Sequence, residues 1–102
     1  NMVNILLDNA IKHATIGGEI TLQLKKEGLK TTLTVMNTGS DIPDKDSNKI
    51  FERFYRGDSS RSRESGGSGL GLSIAKSIAD NNKWKIHANS KYGQSMTITV
   101  IF

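Results

Sequence analysis

The chain has 102 residues, of which 25 are Leu, Ile, Val or Phe, as expected for one small folded domain. It contains no Cys, which excludes disulfide scaffolds, zinc–thiolate sites and cysteine nucleophiles. No apolar run approaches the roughly 18 residues of a membrane-spanning helix. No secretory leader opens the sequence either, so neither a membrane anchor nor a cleaved signal is predicted.

The net charge of +4 is carried unevenly. Residues 1–50 are neutral overall, whereas residues 51–102 hold the whole excess, including all four Arg between Arg53 and Arg63. Guanidinium groups bind phosphates and carboxylates bidentately, so this concentration of Arg favours an anionic ligand. The alternative is a solvated loop.

Hydrophobic periodicity predicts three helices and four strands along the chain. The predicted elements are a helix over 2–14, strands over 19–26 and 31–36, a short helix capped by Asp44 or Asp46 that runs through Tyr55, a helix over 69–80, and strands over 84–89 and 96–102. Hairpins with helices between them favour an α+β fold. We expect a two-layer sandwich in which three helices cover one face of a mixed, mostly antiparallel sheet.

The same periodicity predicts which side chains form the core. The expected apolar positions are Val3, Leu6, Leu7, Ala10 and Ala14 on the first helix, Ile20, Leu22, Leu24, Leu33 and Val35 on the first hairpin, and Gly71, Ile74, Ala75 and Ile78 on the third helix. Residues 57–68 contain no large apolar side chain, and we expect them to form a mobile loop without ligand.

A glycine-rich segment, residues 66–72, leads directly into the third helix. Glycines allow the backbone to approach a ligand closely, and a helix N-terminus offers unpaired N–H groups to a phosphate. The segment lacks the Lys-Ser/Thr pair of a P-loop, so a flexible hinge remains the alternative. The nearby Arg residues favour the phosphate interpretation.

Two polar residues, Asn9 and Lys12, lie at one edge of the apolar stripe of the first helix. A carboxamide oxygen can serve as a neutral Mg²⁺ ligand beside phosphates and water, and a Lys can contact a phosphate. An ordinary polar helix edge is the alternative.

Five segments together resemble the sequence boxes of bacterial sensor histidine kinases. They are residues 6–13 (the N box), 37–43 (the first glycine box), 51–56 (the F box), 66–74 with Lys76 (the second glycine box) and 93–97 (the position of the last glycine box). The resemblance spans the chain and implies the Bergerat fold, with an ATP site of the type found in gyrase, the Hsp90 chaperone and mismatch-repair ATPases.

The resemblance also implies roles for individual residues. Asn9 corresponds to the Mg²⁺ ligand and Lys12 to a phosphate contact, while Arg56 and Arg61 correspond to residues that approach the terminal phosphate. The remaining implied nucleotide-binding residues are Gly67, Gly69, Leu70, Gly71 and Leu72 on the phosphate side, and Asn37, Gly39, Ile42 and Thr97 on the base side.

Several residues depart from the family pattern on the base side. Asn37 stands in place of an Asp, which keeps one acceptor oxygen but loses the charge and allows the amide to flip. Asp41 replaces a Gly, and Ser95 and Met96 replace a Gly-Thr pair. We therefore expect weakened adenine contacts, and we expect Asn37→Asp to tighten nucleotide binding.

The function implied is binding of Mg·ATP and presentation of its γ-phosphate to a His on a separate dimerisation domain. Neither His13 nor His87 resembles that acceptor, so we expect residues 1–102 to be an N-terminally truncated catalytic domain that is inactive alone. The implied setting is the cytoplasmic side of a bacterial membrane receptor, homodimeric only at full length, with a cognate response regulator as partner.

Three other functions compete with this one. The base-side departures favour a degenerate nucleotide site that serves as a regulatory or docking module. An ATPase is disfavoured because Ile5 stands where hydrolytic relatives carry a Glu one turn before the Mg²⁺ ligand. Nucleic-acid binding is disfavoured because no aromatic platform accompanies the Arg residues.

Overall fold

The computed structural model describes residues 2–52 and 71–102. Their elements are α1 (Met2–His13), β1 (Ile20–Glu27), β2 (Lys30–Thr38), a 3-10 helix (Asp44–Phe51), α2 (Gly71–Asn81), β3 (Lys85–Lys91) and β4 (Ser95–Ile101). The predicted order of helices and strands is confirmed. The second helix ends before the predicted Tyr55, because the 3-10 helix stops at Phe51 and the backbone of Glu52 is extended. The predicted loop over 57–68 and the predicted start of the third helix at residue 69 lie outside the described residues.

The strands form one sheet in the order β1-β2-β4-β3, and each described pairing is antiparallel. The α+β prediction is confirmed. Alternate side chains of β2 and β4 define an inner face that carries the core, formed by Leu33, Val35, Met96, Ile98 and Val100. The outer face carries the polar positions between them, mostly Thr, as expected for a sheet with one solvated side.

The helices pack on the inner face. α1 buries Met2, Leu6 and Ala10, and α2 buries Ala75 and Ala79. The predictions that Val3 and Ile74 are core residues are wrong, because both side chains are exposed. The buried stripe of each helix is narrower than its apolar stripe in the sequence. Leu7, Ala14 and Ile78 are half-buried at its edge.

Strand β1 differs most from the sequence-based prediction. Ile20, Leu22 and Leu24 pair with Asn37, Val35 and Leu33, so they do share the inner face. They are nevertheless exposed, Leu24 by 67%. The described helices approach β2 and β3 much more than β1, and every residue of this edge strand is exposed among the described residues.

The 3-10 helix begins after Pro43 without a side-chain cap, so the prediction that Asp44 or Asp46 caps it is wrong. The Asp44 carboxylate instead accepts a hydrogen bond of 2.8 Å from the backbone N–H of Tyr92. No helix in the described part of the chain is long and apolar enough to cross a bilayer.

Candidate functional site

The structure places Asn9 and Lys12 on the same edge of α1. Three helical residues separate them by about 60° around the axis and about 4.5 Å along it. Asn9 is half-buried and Lys12 is exposed. The described residues contain no cluster of three or more His, Cys, Asp or Glu side chains that could hold a metal ion. The donor set therefore fits Mg²⁺ only as one carboxamide oxygen supplemented by phosphates and water.

The first turn of α2 adjoins this edge. A Cβ placed on Gly71 would lie 3.9 Å from Cγ2 of Ile5, which is one turn before Asn9. The first-turn amides of a helix have no intrahelical partners, and they lie at the positive end of the helix dipole. The backbone of Gly71 and Leu72 thus comes close to the Asn9 edge, which places the N-terminus of α2 beside a potential metal ligand.

The other predicted phosphate-side residues cannot be placed. Gly67, Gly69, Leu70, Arg56 and Arg61 lie outside the described residues.

On the base side, Asn37 is 2% exposed and its amide is held by the backbone. Its Nδ2 donates to the carbonyl oxygens of Gly39, at 3.0 Å, and Thr38, at 3.2 Å. Both amide protons therefore have acceptors, and a flipped amide would place Oδ1 against two carbonyl oxygens. The expectation that Asn37 can flip is wrong. In this orientation, Oδ1 of Asn37 takes no part in these two bonds and can accept a hydrogen bond from a ligand.

Residues 39–42, which we call the base segment, begin where β2 meets the end of α1. The N–H of Thr15 donates to the carbonyl of Thr38 at 2.9 Å. Gly39 has a φ of +88°, and a Cβ there would overlap Oγ1 of Thr15. Only glycine satisfies both the backbone angle and the close approach.

Asp41 of the base segment lies close enough to the end of α1 to act on the charge of His13. The pKa of His13 is lowered from 6.5, mainly because burial disfavours its charged form, with a smaller contribution from Lys12. The carboxylate of Asp41 acts in the opposite direction. Its contacts with Thr15 place the base segment just past the C-terminal end of α1, on the side of Asn9 away from the start of α2.

The structure does not bring Thr97 together with the other base-side residues. Asn37 pairs with Met96, whereas Thr97 pairs with Met36 and Asn89 on the outer face. Met96 is buried and shares the inner face with Asn37. The two residues that depart from the family pattern, Asn37 and Met96, are therefore direct cross-strand neighbours. Thr97 lies on the opposite face of the sheet and is not part of the candidate site.

Sequence reasoning missed a set of side chains that join the 3-10 helix to the free edge of β3. Two N–H groups of β3 and that of Tyr92, the residue after the strand, donate to side-chain oxygens of this helix: Ala88 to Asn48 at 2.8 Å, Ser90 to Ser47 at 2.9 Å, and Tyr92 to Asp44 at 2.8 Å. One feature of the sequence could have indicated the role of Ser90 in this set. Ser90 follows Ile86 and Ala88 at strand spacing, which places a hydroxyl on the inner face.

Comparison with known proteins places this arrangement in a family. The family model for histidine kinase-, DNA gyrase B- and HSP90-like ATPases matches residues 1–102. The chain is 42% identical over 101 residues to the sensor histidine kinase YkoH of Bacillus subtilis, and 39% identical over 98 residues to the histidine-protein kinase ArlS of Staphylococcus aureus. These matches cover 99% and 96% of this chain but 22% of each relative, so the chain spans about a fifth of their length.

Solved structures show the same fold. The mycobacterial sensor histidine kinase MprB superposes with a TM-score of 0.81 at 25% identity, covering 99% of this chain and 66% of that one. Full-length ShkA in complex with AMPPNP superposes with a TM-score of 0.79 at 21% identity, covering 98% of this chain and 20% of that one. The chain therefore belongs to the histidine kinase-, DNA gyrase B- and HSP90-like ATPase family, as a catalytic domain of the sensor histidine kinase type.

Proposed function

We propose that this chain binds Mg·ATP along α1 and presents the γ-phosphate to a His on a separate dimerisation domain. One observation carries the proposal. The start of α2, Asn9 and the base segment follow one another along α1, over roughly 12 Å between Ile5 and His13. An extended nucleotide needs this sequence of phosphate, metal and base contacts.

The chain's own residues would position the nucleotide. Asn9 would hold Mg²⁺ and Lys12 would contact a phosphate, while the α2 amides of Gly71 and Leu72 would bind phosphate oxygens. Mg²⁺, when bound, neutralises phosphate charge. The Oδ1 of Asn37 would accept a hydrogen bond from the adenine amino group. ShkA has the same fold and was solved in complex with AMPPNP, which supports nucleotide binding by this fold.

The resemblance alone supports the remaining contacts and partners. Arg56, Arg61, Gly67, Gly69 and Leu70 would complete the phosphate side. In the transfer itself, a bond forms between an imidazole nitrogen and the γ-phosphorus while the bond to the β-phosphate oxygen breaks, which leaves ADP. A response regulator would then receive the phosphoryl group. In this proposal the full-length protein is a homodimeric receptor at the bacterial membrane.

Calorimetry with a non-hydrolysable ATP analogue tests the proposal. Binding should require Mg²⁺, and Asn9→Ala should weaken this Mg²⁺-dependent binding by removing the metal ligand. Asn89→Ala serves as a matched control, because Asn89 is exposed on the outer face. The chain alone should incorporate no phosphate, whereas an added His-bearing dimerisation domain should be labelled. Magnesium-independent binding in the unsubstituted chain would contradict the assignment of Asn9.

A degenerate site acting as a regulatory or docking module is the second candidate. It is favoured by the buried thioether of Met96, which stands beside Asn37 where the family pattern has a hydroxyl. This candidate predicts no measurable binding of the analogue with or without Mg²⁺, so the same titration separates the two.

A further inference from the structure

We infer that Ser90 is a positioning residue for the base side of the nucleotide site, through a closed ring of hydrogen bonds that fixes Ile42. The inference rests on the proposed function. Ser90 lies on β3, two strands away from Asn37, and the sequence boxes give it no role. It would act through the backbone of the base segment and not by touching the nucleotide.

The ring contains two serine hydroxyls and both backbone groups of Ile42. The N–H of Ile42 donates to Oγ of Ser40 at 3.2 Å, the two serine oxygens are 2.5 Å apart, and Oγ of Ser90 donates to the carbonyl of Ile42 at 2.6 Å. A serine hydroxyl has one proton. Because the Ser90 proton goes to Ile42, Ser40 must donate to Ser90, and the ring closes with each donor used.

The register of the sheet places Ser90 in the same cross-strand row as the base-side residues. Asn37 pairs with Met96, and Met96 pairs with Ser90. Strand spacing then separates Asn37 from Ser90 by about 10 Å. Asn37 holds the carbonyl of Gly39 and Ser90 holds that of Ile42, so one row of the sheet fixes both ends of the base segment.

Backbone hydrogen bonds also hold the first two residues of the base segment. The N–H of Gly39 donates to Gln94 at 2.6 Å, and the N–H of Gly93 donates to Ser40 at 2.8 Å. These bonds hold residues 39 and 40 against the β3–β4 turn but do not reach Ile42. Burial of its side chain in the core holds Ile42 as well, but the hydrogen bonds described for its backbone groups are those of the serine ring.

Removing the Ser90 hydroxyl leaves two groups without partners. The carbonyl of Ile42 loses its donor and the hydroxyl of Ser40 loses its acceptor, at a place where Ser90 is 1% exposed. Buried polar groups without partners are costly, so the segment should shift until they reach water. Such a shift changes contacts to the base and leaves the phosphate side, at the start of α2, in place.

The experiment compares two ligands that differ in the base. The binding of Mg²⁺ with a non-hydrolysable ATP analogue and of Mg²⁺ with inorganic tripolyphosphate is measured by calorimetry on the full chain. Ser90→Ala should weaken binding of the ATP analogue about five- to tenfold and change tripolyphosphate binding less than about twofold. Ser40→Ala opens the same ring at a less buried site and should give the same pattern, which decides the question if Ser90→Ala does not fold.

Two further variants separate positioning from general stability. The double variant of Ser40 and Ser90 should bind no more weakly than either single variant, because both belong to one ring. Asn48→Ala removes a different bond to the β3 edge, at Ala88, and should leave both ligands within about twofold of the unsubstituted chain.

Two results would overturn the inference. The first is unchanged binding of the ATP analogue by folded Ser90→Ala and Ser40→Ala chains. The second is an equal loss of binding for the ATP analogue and for tripolyphosphate. Failure of the unsubstituted chain to bind the analogue overturns the proposed function and this inference together. The two failures are distinguished by which chain fails.

Discussion

For the substitution Asn37→Asp, the family pattern predicts tighter base binding, whereas the structure predicts a less stable chain. From the family pattern alone, a carboxylate at this position should strengthen the base contact. In the structure, the amide of Asn37 donates both of its protons to the carbonyl oxygens of Thr38 and Gly39. A carboxylate cannot donate and would face both oxygens.

The carbonyl of Gly39 would lose its donor, whereas that of Thr38 keeps the N–H of Thr15. An unsatisfied buried carbonyl costs about 1–3 kcal/mol, and a carboxylate at position 37, which is 2% exposed, adds repulsion against both oxygens. We expect Asn37→Asp to lower the free energy of unfolding by about 2–4 kcal/mol at neutral pH. For a domain of this size, that loss lowers the Tm by about 10 °C or more.

The loss of stability in Asn37→Asp should depend on pH in a defined direction. Burial raises the pKa of the substituted carboxyl above its unfolded value of about 3.9, so the folded variant binds more protons at intermediate pH. Its stability must therefore fall as pH rises through that raised pKa. The difference from the unsubstituted chain should be larger at neutral pH than near pH 5, where the protonated acid can donate one bond.

Urea denaturation of both chains at the two pH values measures this effect. Asn89→Asp is the matched control, because Asn89 is an exposed residue of the same sheet, and its effect should stay within about 0.5 kcal/mol. Unchanged stability of Asn37→Asp at neutral pH, together with tighter nucleotide binding, would refute the assigned orientation of the amide.

Three further outcomes can be checked on the isolated chain. Leu6→Ala should lower the free energy of unfolding by about 2–5 kcal/mol in urea, whereas Ile11→Ala, on the same helix but 65% exposed, should cost less than about 1 kcal/mol. NMR titration should give His13 a pKa below 6.5, and Asp41→Asn should lower it further. Because the unfolded chain then binds more protons, the His13 contribution to stability should fall as pH drops through the unfolded pKa. Gly39→Ala should lower the free energy of unfolding by about 1–3 kcal/mol, measured by the same urea titration, because its φ is +88°.

Alternation and helical periodicity were sufficient to predict the order of elements. Residues 31–36 alternate clearly, and the strand β2 found there extends to Lys30 and Thr38. The same alternation placed Leu22 and Leu24 on the correct face but not in the core. Periodicity identifies a face, whereas burial depends on how far the other layer extends across the sheet.

The candidate site was predicted in part. The sequence boxes predicted Asn37 and Gly39 near one another, and the structure places them in one hydrogen-bonded unit. Thr97 was assigned by its position within a box, although its alternation with Met96 and Ile98 already places it on the other face. The role of Asp44 could not be predicted, because Tyr92, whose N–H it accepts, is distant in sequence and becomes its neighbour only through the fold.

The central pairing of β2 with β4 has a consequence for how ligand binding and folding are coupled. Asn37 and Met96 are paired neighbours although they are about sixty residues apart in the chain. Pairing of strands so distant in the chain requires closure of a large loop and is intrinsically slow. The base side therefore forms only when these two distant parts of the chain are paired. Nucleotide should stabilise the whole domain by RT ln(1 + [L]/Kd), and a core variant should lose apparent affinity only once an appreciable fraction of the chain is unfolded.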